Sequence, residues 1–133
     1  NVGQLGNNTT TNSPVPVAVN TATVLSGRQL VEVAAGSSHT CAVDEAGLVF
    51  CWGYNIVGQL GNNTTTNSLV AVPVVTTGVL SGKKLVQIGN GSNHSCAVAS
   101  TGKAFCWGYN SGGQLGNGTT ANSSVPVEVS GFG

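Results

Sequence analysis

The chain has 133 residues, enough to bury a core, yet it carries only four Lys or Arg and four Asp or Glu, for a formal net charge of zero. Arg28, Lys83, Lys84 and Lys103 give no cationic footprint for a nucleic-acid backbone, and Glu32, Asp44, Glu45 and Glu128 do not recur as paired acids and bases. No apolar run approaches the roughly 20 residues of a membrane helix, so no nucleic acid, no membrane insertion and no cofactor is expected.

The first motif in the chain, GQLGN at residues 3–7, returns at residues 58–62 and 113–117, a spacing of 55 residues each time. Aligned without a gap, residues 3–57 and 58–112 share 34 identities in 55 positions. Loops match as well as apolar positions, which marks recent duplication. The chain opens and closes within a repeat, as expected of a piece of something longer.

Residues 15–19 read as an orphan outer strand. After it, short Val-rich stretches bounded by Gly, Asn and Ser predict four strands per unit, with no helical stripe anywhere. The first copy gives residues 30–35, 39–44, 48–54 and 70–75. The second gives residues 85–90, 94–99, 103–109 and 125–129. Between the middle strands the loop Glu45, Ala46, Gly47 fits a type I turn closed by a left-handed Gly, and the second copy keeps it as Ser100, Thr101, Gly102. Counting outward from that loop sets Cys41 opposite Cys51. Phe50 and Trp52 then point to one face and Cys41, Val43, Val49 and Cys51 to the other, with neither face polar.

Four-stranded units that repeat and bury both faces are the signature of β-propeller blades. The fold expected is all-β: two full blades of antiparallel four-stranded sheet plus a preceding outer strand. Residues 1–28 hold the outer strand and loop of a preceding blade, residues 29–83 blade 1 and residues 84–133 blade 2. Small residues such as Ala34, Ala35, Gly36, Gly89 and Gly91 suit a strand near a crowded axis.

These motifs resemble the regulator of chromosome condensation repeats, which form propellers of about seven blades. The resemblance rests on Gly36, His39, Gly47, Trp52, Gly53, Gly58, Gln59, Leu60 and Gly61, and on Gly91, His94, Gly102, Trp107, Gly108, Gly113, Gln114, Leu115 and Gly116. Members resembling this family include exchange factors for a small GTPase, nucleosome binders, ubiquitin-ligase modules and a secreted β-lactamase inhibitor, so the fold alone does not fix the function. The cysteines depart from the nuclear pattern and resemble those in repeats of exported bacterial proteins. Directly opposed across a strand pair, Cys41 with Cys51 and Cys96 with Cys106 are within disulfide reach. Each bond would close a loop of about 11 residues, worth roughly 3 kcal/mol in the chain-entropy model. Such bonds place the chain outside the cell or on its surface. The competing reading, a zinc site from His39, Cys41 and Cys51, lacks a fourth ligand.

His39 and His94 recur without a partnered carboxylate and read as turn histidines that hold neighbouring backbone. Ser37 and Ser92 have no nucleophile-elbow setting. The GQLGNN loops lack the Lys and helix of a phosphate cradle, so Gln4, Gln59 and Gln114 are expected to bond the loop backbone. The Asn/Thr tracts contain N-x-[ST] sequons and read as polar loops that satisfy themselves. The function expected is a non-catalytic extracellular module binding a protein or surface glycan. Its loop residues are Ser37, Ser38, Tyr54, Asn55 and Ile56, with Ser92, Asn93, Tyr109, Asn110 and Ser111 in the second copy. A repeat that assembles with further copies into a ring or fibre is the alternative, because a two-blade piece would expose apolar faces. Guanine-nucleotide exchange rests on family analogy alone.

Overall fold

The computed structural model describes residues 1–131. The first sheet contains β1 (Leu30–Ala35), β2 (His39–Asp44), β3 (Val49–Gly53) and β4 (Ser68–Pro73). The second contains β5 (Leu85–Asn90), β6 (His94–Ala99), β7 (Ala104–Gly108) and β8 (Ser123–Glu128). Each is antiparallel with its strands in sequence order, and one 3-10 turn, Gly78–Leu80, precedes β5. No helix among the described residues is long and apolar enough to cross a membrane.

The central hairpin forms as its loop chemistry dictates. Asp44 N–H donates to the Leu48 carbonyl at 2.9 Å, Gly47 N–H donates to the Asp44 carbonyl at 3.0 Å, and Gly47 takes φ +86°. The Asp44 carboxylate caps the turn by accepting from the N–H groups of Ala46 and Leu48. This turn sets the register that pairs Cys41 with Cys51 and His39 with Gly53. β4 and β8 begin two residues before their expected starts, because Ser68 and Ser123 pair with Gly53 and Gly108 beyond a register shift. β3 and β7 are shorter than expected by one residue at each end.

Residues 15–19 form no strand, a correction to the sequence expectation. Their equivalents in β4 have β3 beside them, whereas residues 15–19 have no such partner among the described residues, and a strand exists only through its ladder. The anchor that follows is kept nonetheless. Asn20 N–H donates to the Gly6 carbonyl, as Val75 N–H does to Gly61 and Ser130 N–H to Gly116.

The sulfur-bearing face of blade 1, with Cys41, Val43, Val49 and Cys51, packs in one cluster with Phe105, Trp107, Ala97 and Ala99 of blade 2. Leu60, Leu80 and Leu85 are buried in the same cluster. The opposite face of blade 1, with Ala42, Phe50, Trp52 and Ala71, packs against Leu25. Stacking is therefore directional, sulfur face onto aromatic face. Burial on both faces holds for β2 and β3 but not for β1. Val33 is 64% exposed, whereas its repeat equivalent Ile88 is 7% exposed beneath β1.

The hairpin tip also joins the blades, since Leu85 N–H donates to the Gly47 carbonyl at 3.0 Å. A Cβ on Gly47 would collide with the Lys84 side chain and sit 2.9 Å from the Leu85 nitrogen, while one on Gly102 would meet open space. Both glycines have positive φ. Gly102→Ala should therefore cost about 1 kcal/mol of left-handed strain, and Gly47→Ala clearly more. Denaturant unfolding of the two variants checks this, and equal losses would show that the tip does not bear on the next blade.

Candidate functional site

The GQLG loops at residues 3–6 and 58–61 reach forward onto the next blade. The Gln59 carbonyl accepts from the Trp107 indole Nε1–H at 3.0 Å and from the Ser95 hydroxyl at 2.9 Å. The first copy repeats this, with the Gln4 carbonyl accepting from Trp52 Nε1–H and Thr40 Oγ1–H. Gly61 is required here because its φ is +66° and a Cβ would lie 2.7 Å from the Trp107 Nε1. The Gln59 side-chain oxygen accepts from Val57 N–H, and that of Gln114 from Gly112 N–H, so these residues brace their own loops.

The Ser95 hydroxyl also lies 2.9 Å from His39 Nε2. Its single proton goes to the Gln59 carbonyl, so His39 must be the donor and carry its proton on Nε2. His39 Nδ1 is then a bare lone pair, buried and without a hydrogen-bond partner among the described residues. Burial, reinforced by the nearby His94 charge and partly opposed by the His94 backbone, lowers the His39 pKa from 6.5 to about 4. The turn itself is held by backbone, through Gly36 N–H to the His39 carbonyl and Gly91 N–H to the His94 carbonyl. Thus the His39 side chain serves the neighbouring blade rather than its own turn. The hydroxyl at Thr40 and Ser95, overlooked in the sequence, is readable as a Thr/Ser pair one repeat apart.

Cys41–Cys51 and Cys96–Cys106 are disulfides, with Cα separations of 4.0 and 4.1 Å. Both sulfurs of the supposed zinc set are thereby committed to each other. Among the described residues no group of three or more His, Cys, Asp or Glu gathers as a metal site.

Asn55 and Asn110, expected on the binding surface, are instead fully buried at 0% exposure. The Asn55 amide Nδ2 donates to Asn62 Oδ1, to the Thr64 carbonyl and hydroxyl, and to the Thr66 carbonyl, while its Oδ1 accepts from Leu60 N–H. Asn110 repeats the set with Asn117, Thr119, Ala121 and Leu115. One side chain thus folds the whole polar loop around itself. Asn62 and Asn117 also accept from the threonines two residues on, so the sequon tracts satisfy themselves.

The remaining loop residues share one end of the sheets. Because His39 pairs with Gly53, residues 36–38 and 54–56 emerge together, joined by Tyr54 N–H to the Ser38 carbonyl at 2.8 Å. Tyr109 N–H and the Asn93 carbonyl repeat this at 2.9 Å. Ser37, Ile56, Ser92 and Ser111 are exposed, and Ser38, Tyr54, Asn93 and Tyr109 half-buried. Gln59 Nε2 reaches Asn93 Oδ1 at 3.5 Å, bringing the two loop sets into contact.

Replacing Asn55 by Asp would turn a donor toward several oxygen acceptors into a repelling carboxylate. Asn55→Asp should release the 55–67 loop and destabilise the chain by more than about 3 kcal/mol. Hydrogen exchange should show lost protection at the Leu60 amide, while Asn63→Asp, at an exposed position, leaves protection unchanged.

Two family models, both described as the regulator of chromosome condensation (RCC1) repeat, match the chain. One covers residues 1–43, 46–98 and 101–133, the other residues 30–59 and 85–114. The ultraviolet-B receptor UVR8 of Arabidopsis thaliana is 34% identical over 131 residues, 98% of this chain and 28% of that protein. The probable E3 ubiquitin-protein ligase HERC4 of Rattus norvegicus is 35% identical over 130 residues, 97% of this chain and 12% of that protein. Human WBSCR16 superposes with a TM-score of 0.72 at 28% identity, covering 98% of this chain and 34% of that one. Prp20p from Saccharomyces cerevisiae, whose structure was described with its binding to Gsp1p and histones, gives 0.63 at 29% identity, covering 78% and 26%. The chain thus spans about a third or less of the length of each. Its two blades, their repeat motifs and these matches make it a member of the RCC1 repeat family.

Proposed function

We propose that this segment is a non-catalytic, protein-binding or glycan-binding part of an RCC1-repeat propeller that works outside the cell or on its surface. In this reading residues 1–28 belong to a preceding blade, residues 29–83 to blade 1 and residues 84–133 to blade 2. The observation that carries it is the division of labour among the repeated residues. Trp52, Trp107, Gln59, His39, Asn55 and Asn110 are all engaged within the fold. What remains at the accessible end is a neutral loop face around Ser37, Tyr54, Ile56, Ser92, Tyr109 and Ser111.

Ile56 is 55% exposed and stands where the second copy has Ser111, so this face is both apolar enough to bind and free to vary. The binding of Prp20p to Gsp1p and histones supports recognition of a protein. The disulfides support an oxidising compartment and weigh against nucleotide exchange on an intracellular GTPase.

Self-association is the second reading, favoured by complementary ends. Cys41 and Val43 are fully buried beneath blade 2, while their equivalents Cys96 and Val98 are half-exposed. Such ends fit a head-to-tail contact.

A photo-cross-linking residue at Ile56 should capture a binding partner, whereas the same residue at Thr77, exposed on the connection to blade 2, should not. Capture at both positions, or at neither, argues against the loop face. Native mass spectrometry with and without reductant separates the second reading, which requires a defined ring or large multimers.

A further inference from the structure

We propose that the joint between blades is acid-labile, with His39 as the group whose protonation opens it. His39 stands at the start of β2, 1% exposed, and its Nε2–H crosses the interface to Ser95 on β6. Ser95 passes the connection to the Gln59 carbonyl, which also receives the Trp107 indole. A second proton would go to Nδ1, the buried atom with no partner. The imidazolium would then hold a full charge where water does not reach, relieved only in part by the His94 backbone, and separating the blades is the way to hydrate it.

Among the described residues no carboxylate stands beside His39 to neutralise that charge. From β6 the facing titratable group is His94, whose own charge would repel. The neighbouring sulfurs of Cys41 and Cys51 are disulfide-bonded and do not titrate. Glu32 on β1 lies opposite Val43, about 13 Å along the strand from His39 at the usual rise, and accepts from Ile88 N–H on β5. Asp44 ends β2 at its far end and pairs with Arg28, Glu45 follows it in the hairpin loop, and Glu128 on β8 pairs with Lys103, which precedes β7.

The folded-state value is lowered, so the unfolded chain takes up the proton first. The stability His39 confers by staying neutral is complete above pH 6.5 and is lost as pH falls from 6.5 toward 4. Because His94 recurs one repeat later, a longer run of blades would carry one such proton acceptor at each joint of this kind.

The test is urea unfolding of the disulfide-bonded chain at pH 7 and pH 4.5, for the parent and for His39→Gln and His94→Gln. Gln keeps a donor for Ser95 but does not titrate. For the parent, the folding equilibrium constant should drop by an amount attributable to His39 of the order of 50-fold. His39→Gln should lose that increment and His94→Gln should retain it. An unchanged pH dependence in His39→Gln overturns the proposal. If His39→Gln fails to fold at pH 7, NMR titration of the parent decides. A His39 imidazole that stays neutral until the pH is well below 6 and protonates as interface amides lose protection supports the proposal. One that titrates near 6.5 with the blades closed overturns it.

Discussion

The carbonyl oxygen of Gln59 is the point on which the two blades depend. It accepts from an indole N–H and a serine hydroxyl, both supplied by the next sheet. A buried carbonyl deprived of its donors costs about 1–3 kcal/mol, so blade 2 must sit where those groups meet it. The neighbouring residues follow from that demand. Gly61 lets the backbone approach the indole plane, Leu60 is fully buried in the same core cluster as Trp107, and Asn55 ties the loop down so that the carbonyl stays aimed. Gln4, Trp52 and Thr40 reproduce the arrangement one repeat earlier.

A clip of this kind has a direction. Loop and sulfur face belong to one blade, aromatic face and hydroxyl to the next, and the two sides are not interchangeable. Each blade is stabilised by its neighbour more than by its own small sheet, as in other repeat architectures. This explains why Leu85 and Ile88 on β5 are covered while their equivalents on β1, Leu30 and Val33, face solvent. The same residues take opposite roles according to whether another blade stands beside them.

Much of the fold was legible in the sequence because it is local. The hairpin glycine at Gly47 fixes register, register sets Cys41 opposite Cys51, and alternation assigns faces. The inner and second strands have the bounds that alternation predicts, whereas β4 and β8 shift at an irregularity that no periodicity encodes. Residues 15–19 alternate like a strand, but a strand also needs a partner. Asn55 and Asn110 misled for a different reason. An Asn after Tyr in a Gly-rich stretch reads as surface, and only the return of the loop, with acceptors seven to eleven residues later, buries it. The coordinated recurrence of Asn62 with Asn117 and Thr64 with Thr119 was the available signal.

The loop face and the clip share their supports. Residues 36–38 and 54–56 hang from the His39 and Gly53 pair, two positions along the ladder from the Cys41–Cys51 bond. That bond therefore ties together the two strands that display the face, close to where they display it. His39 lies at the same end and points across to the next blade, so a change in blade separation is felt directly beneath the loops. Residues at the tip, such as Ile56 and Ser111, can differ between copies without cost to the stack, since no clip bond passes through them. A face that differs between copies on a frame that does not suits the recognition role proposed for it, and the frame rests on one repeated carbonyl.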